Sequence, residues 1–354
     1  MKRNRTLLIL GLMAAALLLS ACDTGFGASS WPGLTLDADD GTLYVAYNQH
    51  IYALQAENGV ERWRYPAERD NAITFYAAPE LTEDGQLVAG AYNNVLYSLD
   101  PADNGSLNWS FDVASNRFVA SPQSIGGNVY APSTDRSMYA LDSTGELQWT
   151  FGSAEALWAK PATDGEALYV PSMDHILYAV DAANGDLIWK QDMGGTIVGR
   201  PALDENGTLY VGTFGAEVIA VDSANGRQVW RSATSDWVWG GPTVVDGVVY
   251  AADLSGMLYA FDAESGNQLW SVEADGAITG SPLVANDHIY VGTENGQLLS
   301  VGLDGRIQWT QSLEGQLYSP LLASGDLILA GIVDTDAIVV ALDLNGQIEW
   351  SFIP

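Results

Sequence analysis

The sequence repeats itself at a fixed spacing, and any fold it adopts must accommodate that period. The pattern Gly-x-x-x-Trp occurs eight times, ending at Trp63, Trp109, Trp149, Trp189, Trp230, Trp270, Trp309 and Trp350. Successive Trp residues stand 46, 40, 40, 41, 40, 39 and 41 positions apart. Six of the Gly residues follow an Asp by three to five positions, at Asp100, Asp142, Asp181, Asp222, Asp262 and Asp343, whereas Gln55 and Gly302 take that place in repeats one and seven. A Pro opens each unit, at Pro32, Pro79, Pro122, Pro161, Pro201, Pro242, Pro282 and Pro320.

One unit, residues 242–270, shows what the period builds. Thr243-Val244-Val245 reads as a short strand, Asp246-Gly247 as a hairpin turn and Val248–Ala252 as a second strand. After a turn at Leu254-Ser255-Gly256, Met257–Phe261 forms a third strand and Gln268–Trp270 begins a fourth. The Asp262 carboxylate can accept backbone N–H groups of the last turn, and Gly266 can take its positive φ. Four short antiparallel strands per 40 residues predict an all-β chain, an eight-bladed β-propeller of four-stranded blades. No unit holds a helix-length stretch of 3.6-residue periodicity, so a helical solenoid is excluded. The repeats stay in phase to the C-terminus, which predicts a last blade built from C-terminal residues alone, or with help only from residues 23–31. The eight repeated Trp residues read as docking groups between blades, each burying roughly 150–250 Å². The repeated Asp residues occupy equivalent turns in separate blades and cannot converge on one metal ion.

The pattern Ala-x-Asp-x-x-x-Gly-x-x-x-Trp, as in Ala179–Trp189 and Ala220–Trp230, resembles the tryptophan-docking motif of the pyrroloquinoline-quinone (PQQ) propeller superfamily. The resemblance covers residues 31–350. It implies two kinds of relative: quinoprotein alcohol dehydrogenases, and a cofactor-free interaction lipoprotein of the outer-membrane β-barrel assembly machinery. The dehydrogenases carry a quinone, a calcium, a catalytic Asp and often an adjacent-Cys clamp on a much longer chain. Here the only Cys is Cys22, no Trp-to-Trp step exceeds 46 residues, and Lys160 and Lys190 are the only lysines beyond the N-terminal segment. The expectation is therefore a chain that is not an enzyme, with no catalytic, cofactor-binding or metal-binding residues and no cofactor.

Composition narrows the rest. With 44 Asp and Glu against 14 Lys and Arg, a formal net charge of -30 repels a phosphate backbone and excludes nucleic-acid partners. One Cys leaves no internal disulfide or zinc–thiolate site, and His50, His175 and His288 are scattered. No Gly-x-Ser-x-Gly, His-Glu-x-x-His or P-loop pattern occurs. Asp37-Ala38-Asp39-Asp40-Gly41 lacks the spacing of a calcium loop and reads as a turn. The acidity fits basic partners, divalent ions, solubility or a salt-adapted host.

Residues 1–21 have the layout of a lipoprotein signal peptide: Lys2, Arg3 and Arg5, then an apolar run from Leu7 to Leu19, then Leu19-Ser20-Ala21-Cys22, which resembles a lipobox. Cys22 is the expected lipidation site, residues 22–30 a short linker and residues 31–354 the propeller. The expected location is extracytoplasmic: lipid-anchored on the periplasmic side of an inner or outer membrane, or on the outer face of the cytoplasmic membrane.

The positions where the repeats differ are the candidates for function. The residue before each Pro should lie near the central channel and is mostly small, but blades four and five carry Lys160 and Arg200. Phe75, Tyr76, Phe118, Trp158, Trp237 and Trp239 stand nearby, and none of these three Trp residues belongs to the docking pattern. Trp158, Lys160, Arg200, Trp237 and Trp239 form the candidate surface for an acidic ligand or partner, with Glu155 or Asp236 as acids that could instead neutralise the cations. The sequence thus predicts a monomeric, membrane-anchored, non-enzymatic scaffold that binds other envelope proteins and possesses no nucleic-acid partner. The alternative is a propeller that binds a quinone or another small ligand.

Overall fold

The computed structural model describes residues 30–354; the signal-peptide segment and Cys22 lie outside them. Thirty-two strands form eight four-stranded antiparallel sheets, each assembled from four consecutive strands. The blades span residues 33–65, 80–111, 123–152, 162–192, 202–233, 243–273, 283–312 and 322–352. The eight-bladed all-β propeller expected from the repeat is the observed fold, and among the described residues the one helical element is a short 3-10 turn at Pro101–Asp103. Among the described residues blade eight is built from C-terminal residues alone, the strand Thr42–Tyr47 belongs to blade one, and no strand is exchanged to close the ring.

First strands of neighbouring blades approach one another around the axis, and the Trp-bearing fourth strands lie outside. The middle strands are the most apolar and the most buried, as in Leu168, Tyr169 and Val170 of blade four. Each seam between adjacent blades holds its own apolar cluster. Leu43, Leu54, Leu329 and Val339 fill the seam that joins blade eight to blade one. Stability is therefore distributed over eight interfaces rather than gathered in one centre.

Every docking Trp lies on the turn of the next blade. A Cβ added to Gly226 would sit 2.6 Å from the Trp189 ring, and one added to Gly59 would sit 2.5 Å from Trp350, which closes the circle. Gly226 is also at φ +72°, so this position requires glycine twice over: for its backbone and for the ring above it. The indole N–H commonly finishes the contact. Trp189 donates to the Ser223 carbonyl at 2.8 Å, Trp230 to Ala263 at 2.8 Å and Trp309 to Leu344 at 2.8 Å. Trp350, at the closing seam, has no acceptor for its buried Nε1 among the described residues.

Within its own sheet each docking Trp pairs with a small residue. Ala53, Ser98, Ala140, Ala179, Ala220, Ala260, Ser300 and Ala341 face the eight Trp residues, and the register shifts immediately beyond each pair. The small partner leaves room for the indole to lie across the sheet, and the shift turns the strand toward the neighbouring blade. In the following turn the Asp carboxylate accepts backbone N–H groups, as Asp142 does from Thr144 and Glu146 and Asp343 from Asn345 and Gln347. The Asp37–Gly41 segment is likewise a turn, with Asp37 and Asp40 accepting the N–H groups of Asp39 and Thr42.

The Pro markers need one correction. In seven blades the first strand starts one residue after the Pro, but in blade eight it starts at Leu322, two residues after Pro320. Pro320 itself therefore occupies the place that Lys160 and Arg200 hold in blades four and five, and Ser319 is displaced by one.

Trp230 is buried and hydrogen-bonded, so Trp230→Ala should cost about 3–5 kcal/mol in a chemical denaturation measurement. Trp350→Phe should cost less than Trp230→Phe, because only the latter gives up an indole hydrogen bond.

Candidate functional site at the channel mouth

All eight blades contribute to a cavity of about 250 Å³ on the ring axis. Each wall segment is the stretch that leads from a fourth strand into the next first strand, which explains why the residues before the Pro markers converge there. Trp158, Lys160, Arg200 and Trp239 line this cavity together. Trp237 is not part of that lining. It stacks on Phe214 at 4.8 Å with an 11° interplanar angle, and Phe214 also meets Trp239 at 5.3 Å. Phe214 sits in the turn between the second and third strands of blade five, so an aromatic cluster spans blades five and six beside the mouth.

The two cations have different surroundings. Lys160 pairs with Glu80, the first strand residue of blade two, with Nζ 2.5 Å from Oε2. The other Glu80 oxygen accepts from the backbone N–H and the hydroxyl of Ser124 in blade three, both at 3.0 Å. One carboxylate thus ties together blades two, three and four. The acid that neutralises Lys160 is neither Glu155 nor Asp236; it comes from a blade 80 residues earlier in the chain. Burial pulls the Lys160 ammonium below its ordinary pKa, Glu80 opposes this, and the charge of Arg200 reinforces it. Arg200 is exposed to solvent inside the mouth; partial desolvation by the surrounding wall lowers its pKa, and Glu80 counteracts. Among the described residues no carboxylate lies within ion-pair distance of Arg200, and no acceptor takes a hydrogen bond from its guanidinium.

Aromatic rings complete the wall. Trp31 stacks on Tyr318 at 4.9 Å and meets Tyr76 at 5.3 Å. Tyr76 in turn stacks on Tyr92 at 5.3 Å, and Arg117 lies over Tyr92 at 4.9 Å. Burial raises the phenols of Tyr76, Tyr92 and Tyr318, and Glu294 and Asp334 add to the effect on Tyr318. Glu294 is half-buried, and burial raises its carboxyl pKa. Phe75 and Phe118 are fully buried packing residues and do not reach the cavity.

Sequence reasoning missed Trp31, Tyr92, Tyr318 and Glu80. Trp31 precedes Pro32 and carried the same positional signal as Lys160. Tyr318 was hidden by the one-residue offset in blade eight. Nothing in the repeat marks Tyr92, in a turn, or Glu80, whose partner is two blades away. Among the described residues no three His, Cys, Asp or Glu side chains are grouped to hold a metal ion.

A family profile described as "Outer membrane protein assembly factor BamB" matches residues 27–116, 77–174, 172–281 and 255–353. The chain belongs to this PQQ-like propeller family. Its structure is similar to the crystal structure of BamB from Moraxella catarrhalis, with a TM-score of 0.73 and 20% identity, covering 87% of this chain and 94% of that one. It is also similar to the computationally designed protein Ika8, with a TM-score of 0.76 and 14% identity over 90% of this chain and 98% of the other. At those identities the similarity concerns the fold. A curated relative, the serine/threonine-protein kinase AfsK of Streptomyces griseus, is 30% identical over 119 residues. That match takes in 31% of this chain and spans only 14% of AfsK.

The quinone of the wider superfamily does not fit this mouth. Such a molecule has three carboxylates, whereas the lining offers two cations, one already neutralised by Glu80.

Glu80→Gln should leave Lys160 confined without a counter-charge and destabilise the ring by roughly 3 kcal/mol, the low end for a broken buried pair, because both side chains keep some solvent contact. Adding Lys160→Met in the same chain should recover most of that loss in a denaturant titration. The lowered pKa sets the sign with pH: folding disfavours the Lys160 charge below the folded value, and that penalty fades as pH rises through it.

Proposed function

We propose that the chain is a non-enzymatic scaffold that binds other proteins of the cell envelope and is held at a membrane by a lipid on Cys22. The observation that carries this reading is membership, along the whole described chain, of a family named for outer-membrane protein assembly. The geometry of the mouth supports it. Phe214, Trp237 and Trp239 form a half-buried aromatic cluster on the face where the ring opens, and large rings of this kind anchor protein interfaces. A rigid ring presents such anchors at little conformational expense on binding.

A photo-crosslinking residue at Phe214 should yield adducts with envelope proteins in intact cells, and Trp237→Ala should reduce their yield without lowering the melting temperature by more than a few degrees. Absence of adducts at Phe214, with adducts from the opposite face, would move the partner surface elsewhere. Cys22→Ser should leave the propeller folded and release it from membranes. Sedimentation of that variant with membranes after a high-salt wash would overturn the anchor.

A further inference from the structure

We propose that the channel mouth is a binding site for a small monocarboxylate with an aromatic or apolar body, with Arg200 as the carboxylate's counterion and the rings of Trp158 and Trp239 as walls.

The chain has a formal net charge of -30, yet the cavity lining includes no Asp or Glu. It includes Lys160 and Arg200, and the structure divides their roles. Lys160 is held by Glu80, which is itself fixed by Ser124, so this pair is an inter-blade tie. Arg200 has no such partner among the described residues and keeps solvent contact. Two cations side by side repel one another, and the equivalent positions in other blades are mostly small, such as Ala78, Ser121, Gly241 and Ser281. A carboxylate meeting Arg200 side-on would form a bidentate, charge-assisted pair.

Size and shape limit the occupant. The 250 Å³ cavity falls just below the usual range of ligand pockets, about 300–1,000 Å³. That volume admits a small molecule rather than a folded segment. The aromatic wall accommodates a planar or apolar body, and one cation without a carboxylate partner among the described residues matches one negative charge. A tricarboxylate would leave two charges uncompensated in an aromatic cavity.

The test uses the full propeller and indole-3-acetate as the probe, followed by isothermal titration calorimetry and ligand-observed NMR. The neutral isostere indole-3-acetamide and the trianion benzene-1,3,5-tricarboxylate serve as comparisons. Indole-3-acetate should bind saturably and more tightly than either. Arg200→Gln should weaken it roughly 10- to 100-fold, the loss expected for one charge-assisted pair, and Arg200→Lys should recover part of that. The melting temperature of Arg200→Gln should stay level or rise. Equal binding of the amide, unchanged affinity in Arg200→Gln, or no saturation below roughly 10 mM would overturn the proposal. A clear fall in the melting temperature of Arg200→Gln would do the same, since it would give the guanidinium a structural role.

Discussion

An indole lying flat on a glycine, repeated around a circle, is the contact on which this structure depends. Each blade is a four-stranded sheet with no core of its own, so it must bury both faces against neighbours. The Trp on its outer strand reaches over the next blade's turn, where only glycine leaves space and where φ is positive. The same Trp needs a small residue opposite it in its own sheet, and all eight blades provide Ala or Ser. Three residue identities per repeat thus follow from a single steric demand. Because the demand is the same at every seam, the ring closes with the contact it uses elsewhere, Trp350 over Gly59, without an exchanged strand.

That closing seam departs from most of the others in both chemistry and geometry. Trp350 docks without an acceptor for its indole N–H, and blade eight enters its first strand one residue later than its sisters. Additional contacts hold the seam: Ser319 donates from its hydroxyl to the Pro32 carbonyl at 2.7 Å, and Trp31 stacks on Tyr318. The termini of the ring therefore meet through packing and hydrogen bonds at the channel mouth itself, so closure and the wall of the cavity share residues.

Outer-strand docking frees the inner segments to vary. Their positions are fixed by the sheets behind them, so side chains there can be selected for what they present to the axis. Lys160 became a tie between blades, while Arg200, Trp158 and Trp239 remained on the cavity wall. The Glu80 carboxylate separates these uses by satisfying one cation and not the other.

The fold, the number of blades, the turn-capping Asp residues and the convergence of the pre-Pro segments on the axis are all legible in the repeat. Those features repeat, and repetition exposes a local rule to a reader with one sequence. It also placed Trp158, Lys160, Arg200 and Trp239 in one neighbourhood, because equivalent positions in successive blades must emerge on the same face. What each of them does depends on contacts made across blades. The partner of Lys160 lies two blades away, and no periodicity links Glu80 to it. Trp237 turned aside to Phe214, and Phe75 and Phe118 turned inward, because the direction of a side chain in an irregular connection depends on its packing neighbours. Charge pairing and ring stacking across blades are contacts between distant stretches of chain, and a local pattern does not encode them.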